Sequence, residues 1–98
     1  MKESLSNLYK AFALINDPAE AEAFLTDLCT IKEMQDMAQR LVAAEMLKKG
    51  ENYLNIASEI GISTATISRV SRALNYGSGG YELILERLGE KAEEPEEA

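Results

Sequence analysis

Histidine is absent from this chain of 98 residues, and cysteine occurs only once, as Cys29. A single thiol cannot form an intrachain disulfide, so nothing suggests the cross-linking that stabilises small secreted domains. The usual ligands of a zinc site are also missing. Neither a metal nor a cofactor is therefore expected. The sequence also lacks a phosphate-binding loop and a nucleophile–base pair, so an enzyme is the least supported class.

Long apolar runs are missing as well. No stretch approaches the roughly 18 apolar residues of a membrane span, and the N-terminus has no apolar segment typical of a signal peptide. The expected compartment is the cytoplasm. Only two prolines and six glycines interrupt a sequence that is 46% hydrophobic, which favours a single helical domain. A core of this size is marginal, and oligomerisation is a common remedy.

Negative charge predominates, with 17 acidic against 10 basic side chains and a net charge of −7. This excess opposes DNA binding, because neutralising phosphates takes lysine and arginine. The charge is unevenly distributed, however. Residues 86–98 hold six acidic and two basic side chains, whereas residues 53–76 hold one acid, Glu59, and two bases, Arg69 and Arg72. The central segment is weakly positive and stays a candidate for contact with nucleic acid.

Six helices are predicted from apolar residues at helical spacing and from capping residues. Asp17 with Glu20, and Thr30 with Glu33, fit the capping box, in which a capping side chain is followed three residues later by a glutamate. Gly50 is a natural stop after the longest helix. The predicted helices comprise residues 3–15, 18–28, about 31–49, 53–60, about 64–75 and 81–89.

The C-terminal part is predicted to contain a loop, a helix and a tail. Residues 76–80 (YGSGG) are expected to form a flexible loop. The helix after it is expected to turn Leu83, Ile84 and Leu88 inward. Residues 91–98 are acidic and almost without apolar side chains, which predicts a disordered tail that mimics DNA, discourages non-specific binding or is simply a solvated terminus. Residues 1–90 are then the single all-α domain.

Residues 53–72 fit a helix-turn-helix, in which two short helices are joined by a turn containing glycine. Ala57 provides the small side chain needed where two helices cross closely. Gly61 provides a residue that tolerates positive φ in the turn. Apolar anchors must flank the turn so that both helices are buried on one side. The anchors are Ile56, Ile60, Ile62, Ile67 and Val70.

The second helix of this motif carries small polar groups where a recognition helix meets the edges of bases. Its segment TATISRVSR contains no Glu, Asp or Lys, which is unusual for a merely solvated face in so acidic a chain. Short hydroxyls and arginines suit phosphates and bases. The alternative is an ordinary helical hairpin whose arginines serve solubility. The predicted DNA-binding residues are Ser63, Thr64, Ala65, Thr66, Ser68, Arg69 and Arg72.

Over about residues 20–90 the sequence resembles the Trp repressor superfamily, in particular its YerC/YecD branch. The segments that carry the resemblance are LTDLCTIKEMQDMAQRLVAAEMLKKG and NIASEIGISTATISRVSRALNYG. The resemblance implies six helices per chain and an intertwined homodimer whose N-terminal helices wrap around the partner. It also implies a repressor that binds double-stranded DNA at pseudo-palindromic operators, with one helix-turn-helix per half-site. The signature elements are Thr30, Glu33, Arg40, Gly50 and the run ATISRVS.

The resemblance further implies a possible effector pocket. Tryptophan-sensing members hold their corepressor between two arginines beside the recognition helix, and the matching residues here are Arg40 and Arg69. Thr30 and Thr66 also match pocket positions. The two arginines could hold a different small ligand, contact DNA, or pair with carboxylates such as Glu33 or Glu45.

Two departures from the family pattern argue against tryptophan. Val70 stands where tryptophan-binding members have glycine, and its side chain would occupy part of the ligand's volume. Ala73 stands where they have a serine that meets the ligand's amino group. Losing that hydroxyl leaves an ammonium group unpaired. Any effector is therefore expected to be a different molecule.

Two functions from different classes remain. The first is a dimeric, sequence-specific transcriptional regulator. The second is a protein-interaction module that has kept the helix-turn-helix but lost DNA binding, with the acidity reflecting that loss. Salt dependence separates them, because the affinity of a DNA binder for duplex falls steeply as salt rises.

Overall fold

The computed structural model describes residues 1–93 of the chain. Regular structure within these residues is entirely helical, which confirms the predicted all-α fold of six helices. The helices are α1 (Lys2–Ala13), α2 (Pro18–Leu28), α3 (Ile31–Lys48), α4 (Tyr53–Ile60), α5 (Thr64–Tyr76) and α6 (Gly80–Glu93).

Two helix starts are fixed by the predicted capping residues. The Oδ1 atom of Asp17 accepts a hydrogen bond from the backbone N–H of Glu20 at 2.8 Å. The Glu20 carboxylate accepts from Asn16, one residue earlier than a capping box requires. At α3 the box is complete, because Thr30 accepts from the N–H of Glu33 at 3.1 Å and donates its own N–H to the Glu33 carboxylate at 2.8 Å.

The predicted glycine stop after α3 is confirmed. Gly50 has a φ of 89° and donates its N–H to the Leu47 carbonyl at 3.0 Å. The N–H of Glu51 reaches the Met46 carbonyl at 3.1 Å. Together these bonds form a Schellman motif, which requires a left-handed residue where glycine stands. The longest helix therefore ends where the sequence predicted, to within a residue.

The chain divides into two compact units, Met1–Gln35 and Asp36–Ala98. The first unit contains α1, α2 and the first turn of α3. Phe12 and Phe24 join α1 to α2 by an edge-to-face ring contact with centroids 5.8 Å apart. No residue of α1 or α2 is buried. The prediction that residues 1–90 form a single domain stays a prediction.

The second unit contains the hydrophobic core. Small alanines on α3 allow close approach of neighbouring side chains, and branched residues from α4 and α5 fill the space between the helices. The amide of Gln39 on α3 donates to the carbonyl of Ile60 at the end of α4, at 3.4 Å. The core residues are Ala43, Ala44, Met46, Ile56, Ile67, Val70 and Leu85.

The predicted inward face of the last helix was wrong. Leu83, Ile84 and Leu88 are 44–46% exposed, and the buried residue of α6 is Leu85. Tyr81, one turn earlier on the same face, packs against the core beside it. Residues 83–88 have leucine or isoleucine at four of six positions, so several faces of the helix are apolar enough to be buried. The helices that pack against α6 decide which face is buried.

The bounds of the C-terminal elements also differ from those predicted. Tyr76 belongs to α5 and Gly80 to α6, so the predicted five-residue loop is reduced to residues 77–79. Helix α6 continues four residues beyond the predicted end, through Glu93. Most of the predicted acidic tail, residues 94–98, lies outside the described residues, and its disorder stays a prediction.

Among residues 1–93, no helix is both long and apolar enough to cross a membrane. No group of three or more Cys, Asp or Glu side chains within that range is arranged to hold a metal ion.

Candidate nucleic-acid interface

Helix α4 begins and ends on residues that define its geometry. The Oδ1 atom of Asn52 caps the helix by accepting from the N–H of Asn55 at 2.9 Å. Gly61 ends it with a φ of 68° and donates its N–H to the Ala57 carbonyl at 2.9 Å. A side chain at this position would be strained, because L residues rarely adopt positive φ. The predicted glycine turn of the helix-turn-helix is thus present.

Three residues, 61–63, separate the end of α4 from the start of α5. Of the two capping residues considered from the sequence, Ser63 is the one used, and its Oγ accepts from the N–H of Thr66 at 3.1 Å. The Ser63 Oγ also lies 3.0 Å from the Thr66 hydroxyl. Both side chains are therefore held at the N-terminal end of the helix.

Burial of the five predicted anchors secures the angle between α4 and α5. Ile56 and Ile67 are completely buried, and Val70 is 2% exposed. Ile60 and Ile62 are partly buried against the same core, together with the small Ala57 near the turn. The predicted scaffold of the helix-turn-helix is confirmed residue by residue.

Burying Ile67 and Val70 on one side of α5 exposes the opposite side. Arg69 and Arg72, three residues apart on one face of the helix, both extend into solvent. Neither has a hydrogen bond or an ion pair within the described part of the chain. Their guanidinium groups are therefore free to bind anionic oxygens in pairs.

The predicted DNA-binding residues all lie in the first two and a half turns of α5 or at its cap, but their exposure differs. The exposed ones can meet a flat surface directly. Thr66 and Ser68 are half-buried at the sides of the helix. The exposed residues of the set are Ser63, Thr64, Ala65, Arg69 and Arg72.

A groove that the sequence does not predict lies beside this face. It has a volume of about 450 Å³ and lies between the start of α4 and the C-terminal half of α5. Its lining on α5 repeats at intervals of three and four residues, the spacing of one helix face. This stripe is polar, whereas helical periodicity in a sequence is recognised from apolar residues. The lining residues are Tyr53, Ser68, Ser71, Arg72, Asn75 and Tyr76.

The predicted effector residues are found on two units. Thr30 caps α3 in the first unit, and its Oγ1 accepts from the N–H of Glu33. In the second unit, Arg40 and Arg69 are exposed and Thr66 is half-buried. Val70, the residue expected to restrict a tryptophan-sized ligand, is part of the buried core.

One of the roles considered for the two arginines is not observed. The Glu33 carboxylate accepts the N–H of Thr30, and Glu45 pairs with Lys49 at 3.4 Å. Neither Arg40 nor Arg69 forms an ion pair with an acid in the described residues. Ligand binding and DNA contact are the two remaining roles.

Ala73 lines a separate cleft of about 450 Å³ on the other side of α5. The remaining lining comes from the 77–79 loop, from Gly80 at the start of α6, and from side chains of α3 and α6. Neither predicted arginine belongs to this lining. The cleft residues are Leu41, Ala73, Gly77, Ser78, Gly80, Tyr81 and Ile84.

Comparison with known proteins gives consistent matches. The family model described as Trp repressor protein matches residues 3–89. YerC of Bacillus subtilis (strain 168), named as an uncharacterised protein, is 48% identical over 88 residues, which span 90% of this chain and 85% of YerC.

Two solved structures have the same fold. The crystal structure of a TrpR-like protein from Eubacterium eligens ATCC 27750 superposes with a TM-score of 0.83 at 46% identity, over 89% of this chain and 90% of the other. A Staphylococcus aureus protein provisionally named a Trp repressor gives a TM-score of 0.83 at 42% identity, over 89% and 87% of the two chains.

Proposed function

This chain belongs to the Trp repressor family, and from that premise we propose that it is a homodimeric, sequence-specific DNA-binding transcriptional regulator that acts as a repressor. The observation that carries the proposal is the exposed face of α5. Arg69 and Arg72 project there without an internal partner among the described residues, on the helix whose first residue is the exposed Thr64. A regulator of this kind acts on DNA in the cytoplasm and has no catalytic residue.

The charge distribution supports DNA as the partner despite the net charge of −7. Glu59 is the one acid between residues 53 and 76, and it precedes the turn rather than belonging to α5. The first turns of a recognition helix enter the major groove, where Thr64 and Arg69 would meet base edges and Arg72 a phosphate or a guanine. Local charge at this face, rather than net charge, decides contact with DNA.

The homodimer is supported by apolar surface that the isolated chain leaves in water. The exposed side chains of α1 include Leu5, Tyr9 and Phe12, and α6 exposes Leu83, Ile84 and Leu88. If a second copy covers this surface, apolar area is removed from water. Each Å² of apolar area buried stabilises the dimer by about 25 cal/mol. Two copies would also present two recognition helices to the two halves of a palindromic operator.

A small-molecule effector other than tryptophan fits the pocket residues. Arg40, Arg69 and Thr66 offer two cations and a hydroxyl, which suit an anionic ligand. Val70 fills part of the space that tryptophan would need, and Ala73 provides no acceptor for an ammonium group.

Selection of binding sites from random duplex DNA at about 50 mM salt tests the function, run with and without a pool of metabolites. We expect a pseudo-palindromic motif, and a motif strengthened by one metabolite fraction if an effector exists. Arg72→Ala should weaken binding to all sequences about tenfold, whereas Thr64→Ala and Thr66→Ala should change sequence preference.

Absence of duplex binding across the whole pool would overturn the proposal and favour the protein-interaction module. Unchanged affinity and motif for all three variants would refute the reading face even if the wild type binds. Monomeric mass at micromolar concentration in analytical ultracentrifugation would refute the homodimer separately.

A further inference from the structure

Gln39 on α3 is hydrogen-bonded to the end of the first helix of the helix-turn-helix. Its side-chain nitrogen donates to the carbonyl of Ile60, the last residue of α4, at 3.4 Å. A carbonyl can only accept, so this partner fixes which end of the Gln39 amide is nitrogen. The bond is partly buried and joins residues 21 apart in the sequence. It is therefore a tertiary contact between two helices.

The Ile60 carbonyl has no other hydrogen-bond partner in the described part of the chain. The last carbonyls of a helix lack an intrahelical donor and need a partner from elsewhere. The N–H of Gly61 turns back to the Ala57 carbonyl at 2.9 Å, and no backbone N–H reaches Ile60. The Gln39 amide thus caps the C-terminal end of α4 from a different helix.

This contact lies at the end of α4 that the chain does not attach to α3. Residues 49–52 connect the end of α3 to the start of α4. Gln39 precedes the last residue of α3 by about 13 Å along the helix, and the eight residues of α4 span about 12 Å. Because these lengths match, the Gln39 side chain can reach the far end of α4. Helix α4 is therefore held to α3 at both ends.

The apolar contacts between α3 and the helix-turn-helix resist rotation less well than this bond. Ala43 and Ala44 contribute single methyl groups to the core, whereas larger side chains interlock with their neighbours. Burial of apolar surface is also non-directional. Gln39 lies one turn before Ala43 on the same face of α3. Its hydrogen bond therefore adds a directional contact at the edge of a smooth apolar surface.

On this basis we infer that Gln39 is a positioning residue, whose amide holds α4 and α5 at a fixed angle to α3. In a dimer, two recognition helices read half-sites that lie about 34 Å apart on the duplex. The angle of each recognition helix then sets the half-site spacing that the protein prefers. The effect on DNA rests on the proposed function, whereas the angle itself can be tested without DNA.

Losing this bond should loosen the angle without unfolding the domain. One hydrogen bond contributes little to net stability, and this one is long. Ile60 is partly buried and Gly61 is exposed, so water can replace the lost donor. Non-specific binding depends mainly on neutralising phosphates and does not need two heads in register. Gln39 should therefore affect binding to selected operators far more than binding to unrelated duplex.

Two substitutions in the full-length protein test this role, each matched by the same change at Gln35, an exposed glutamine one turn earlier on α3. Gln39→Met keeps the side-chain length but removes the donor, and it should lower affinity for the selected duplex about fivefold. Gln39→Glu places a carboxylate against the Ile60 carbonyl at the negative end of α4, and it should cost about tenfold beyond Gln35→Glu. Affinity for unrelated duplex should stay within about twofold of each matched control.

Three further measurements separate positioning from stability. Random-site selection with Gln39→Met should return the wild-type half-sites with a broader range of spacings. Backbone amides of residues 61–64 should exchange hydrogen about fivefold faster in Gln39→Met than in Gln35→Met. The melting temperature should fall by less than about 4 °C.

The outcomes distinguish this inference from the function on which it rests. If Gln39→Met matches Gln35→Met in affinity, spacing and exchange, the positioning role is refuted and the function stands. Equal losses for all duplexes with a large fall in melting temperature would show a purely structural role and would also refute it. If the wild type binds no duplex, the proposed function fails, and exchange at residues 61–64 alone then supports or refutes the role of Gln39.

Discussion

The first unit and the helix-turn-helix both contain helix starts that are capped by a side chain, although α1 lacks such a cap, yet the two regions differ in burial. Asp17 and Thr30 cap α2 and α3 as Ser63 caps α5. In the helix-turn-helix, Ile56 and Ile67 are wholly buried, whereas α1 and α2 bury no residue. A capping hydrogen bond favours the start of a helix, but a hydrophobic core forms only where helices pack their apolar faces together. The helix-turn-helix packs within its own chain, and we propose that the first unit packs against a second chain.

The largest effect is expected in the core of the helix-turn-helix. Ile67→Ala should lower the free energy of unfolding by about 3 kcal/mol, because the side chain is fully buried and the cavity would not collapse completely. Urea denaturation at a fixed protein concentration measures this change. The control is Leu54→Ala on α4, where a leucine that is 76% exposed should change stability by less than about 0.5 kcal/mol. Equal losses for the two variants would contradict the comparison.

A smaller effect of a different kind is expected in the first unit. Leu5→Glu places a charge on an apolar surface that a second copy would cover, and it should weaken dimerisation by about 2 kcal/mol per protomer. Sedimentation across a concentration series measures the dissociation constant. Ser4→Glu, which adds the same charge at the neighbouring exposed position, should leave dimerisation unchanged. An equal response to both substitutions would show that α1 is solvated rather than paired.

The smallest effects concern the end of the helix-turn-helix and α6. A Cβ on Gly77 would clash with the Ala73 carbonyl oxygen, so Gly77→Ala should lower the free energy of unfolding by about 1–2 kcal/mol as the end of α5 shifts. A Cβ on Gly89 meets nothing within 4 Å, and Gly89→Ala in the middle of α6 should add up to about 1 kcal/mol through helix propensity. Differential scanning calorimetry should show melting temperatures that move in opposite directions. A higher melting temperature for both variants would mean that the C-terminal end of α5 can shift to accept a side chain at Gly77 without loss of stability.

Much of the helix-turn-helix could be predicted because its signals are local. The turn at Gly61 needs positive φ, and the buried anchors recur at helical spacing, so a linear reading finds both. The candidate reading face followed from the same spacing. The groove did not, because Tyr53 and Asn75 are 22 residues apart and meet only after α4 and α5 pack together. The groove lining is also polar, and apolar periodicity does not reveal a polar helix face.

The last helix shows the same limit. Its existence followed from its apolar residues, but Leu85 is the buried leucine, and the predicted Leu83, Ile84 and Leu88 are largely exposed. Neighbouring stripes of such a helix are nearly equal in hydrophobicity. The sequence of the helix alone therefore does not show which stripe is buried. The neighbouring helices do, because the stripe that contains Tyr81 and Leu85 is the one that packs against the core of the second unit.

The sequence by itself determined where most helices begin and end, that α4 and α5 form a helix-turn-helix, and that arginines follow the cap of α5. These features depend on groups within about four residues of one another, such as Thr30 with Glu33 or Ser63 with Thr66. The tertiary structure alone decided which leucine of α6 is buried, that α1 and α2 bury nothing, and that a polar groove adjoins the reading face. Burial and grooves arise where side chains from distant elements meet, and that meeting depends on packing rather than on local spacing.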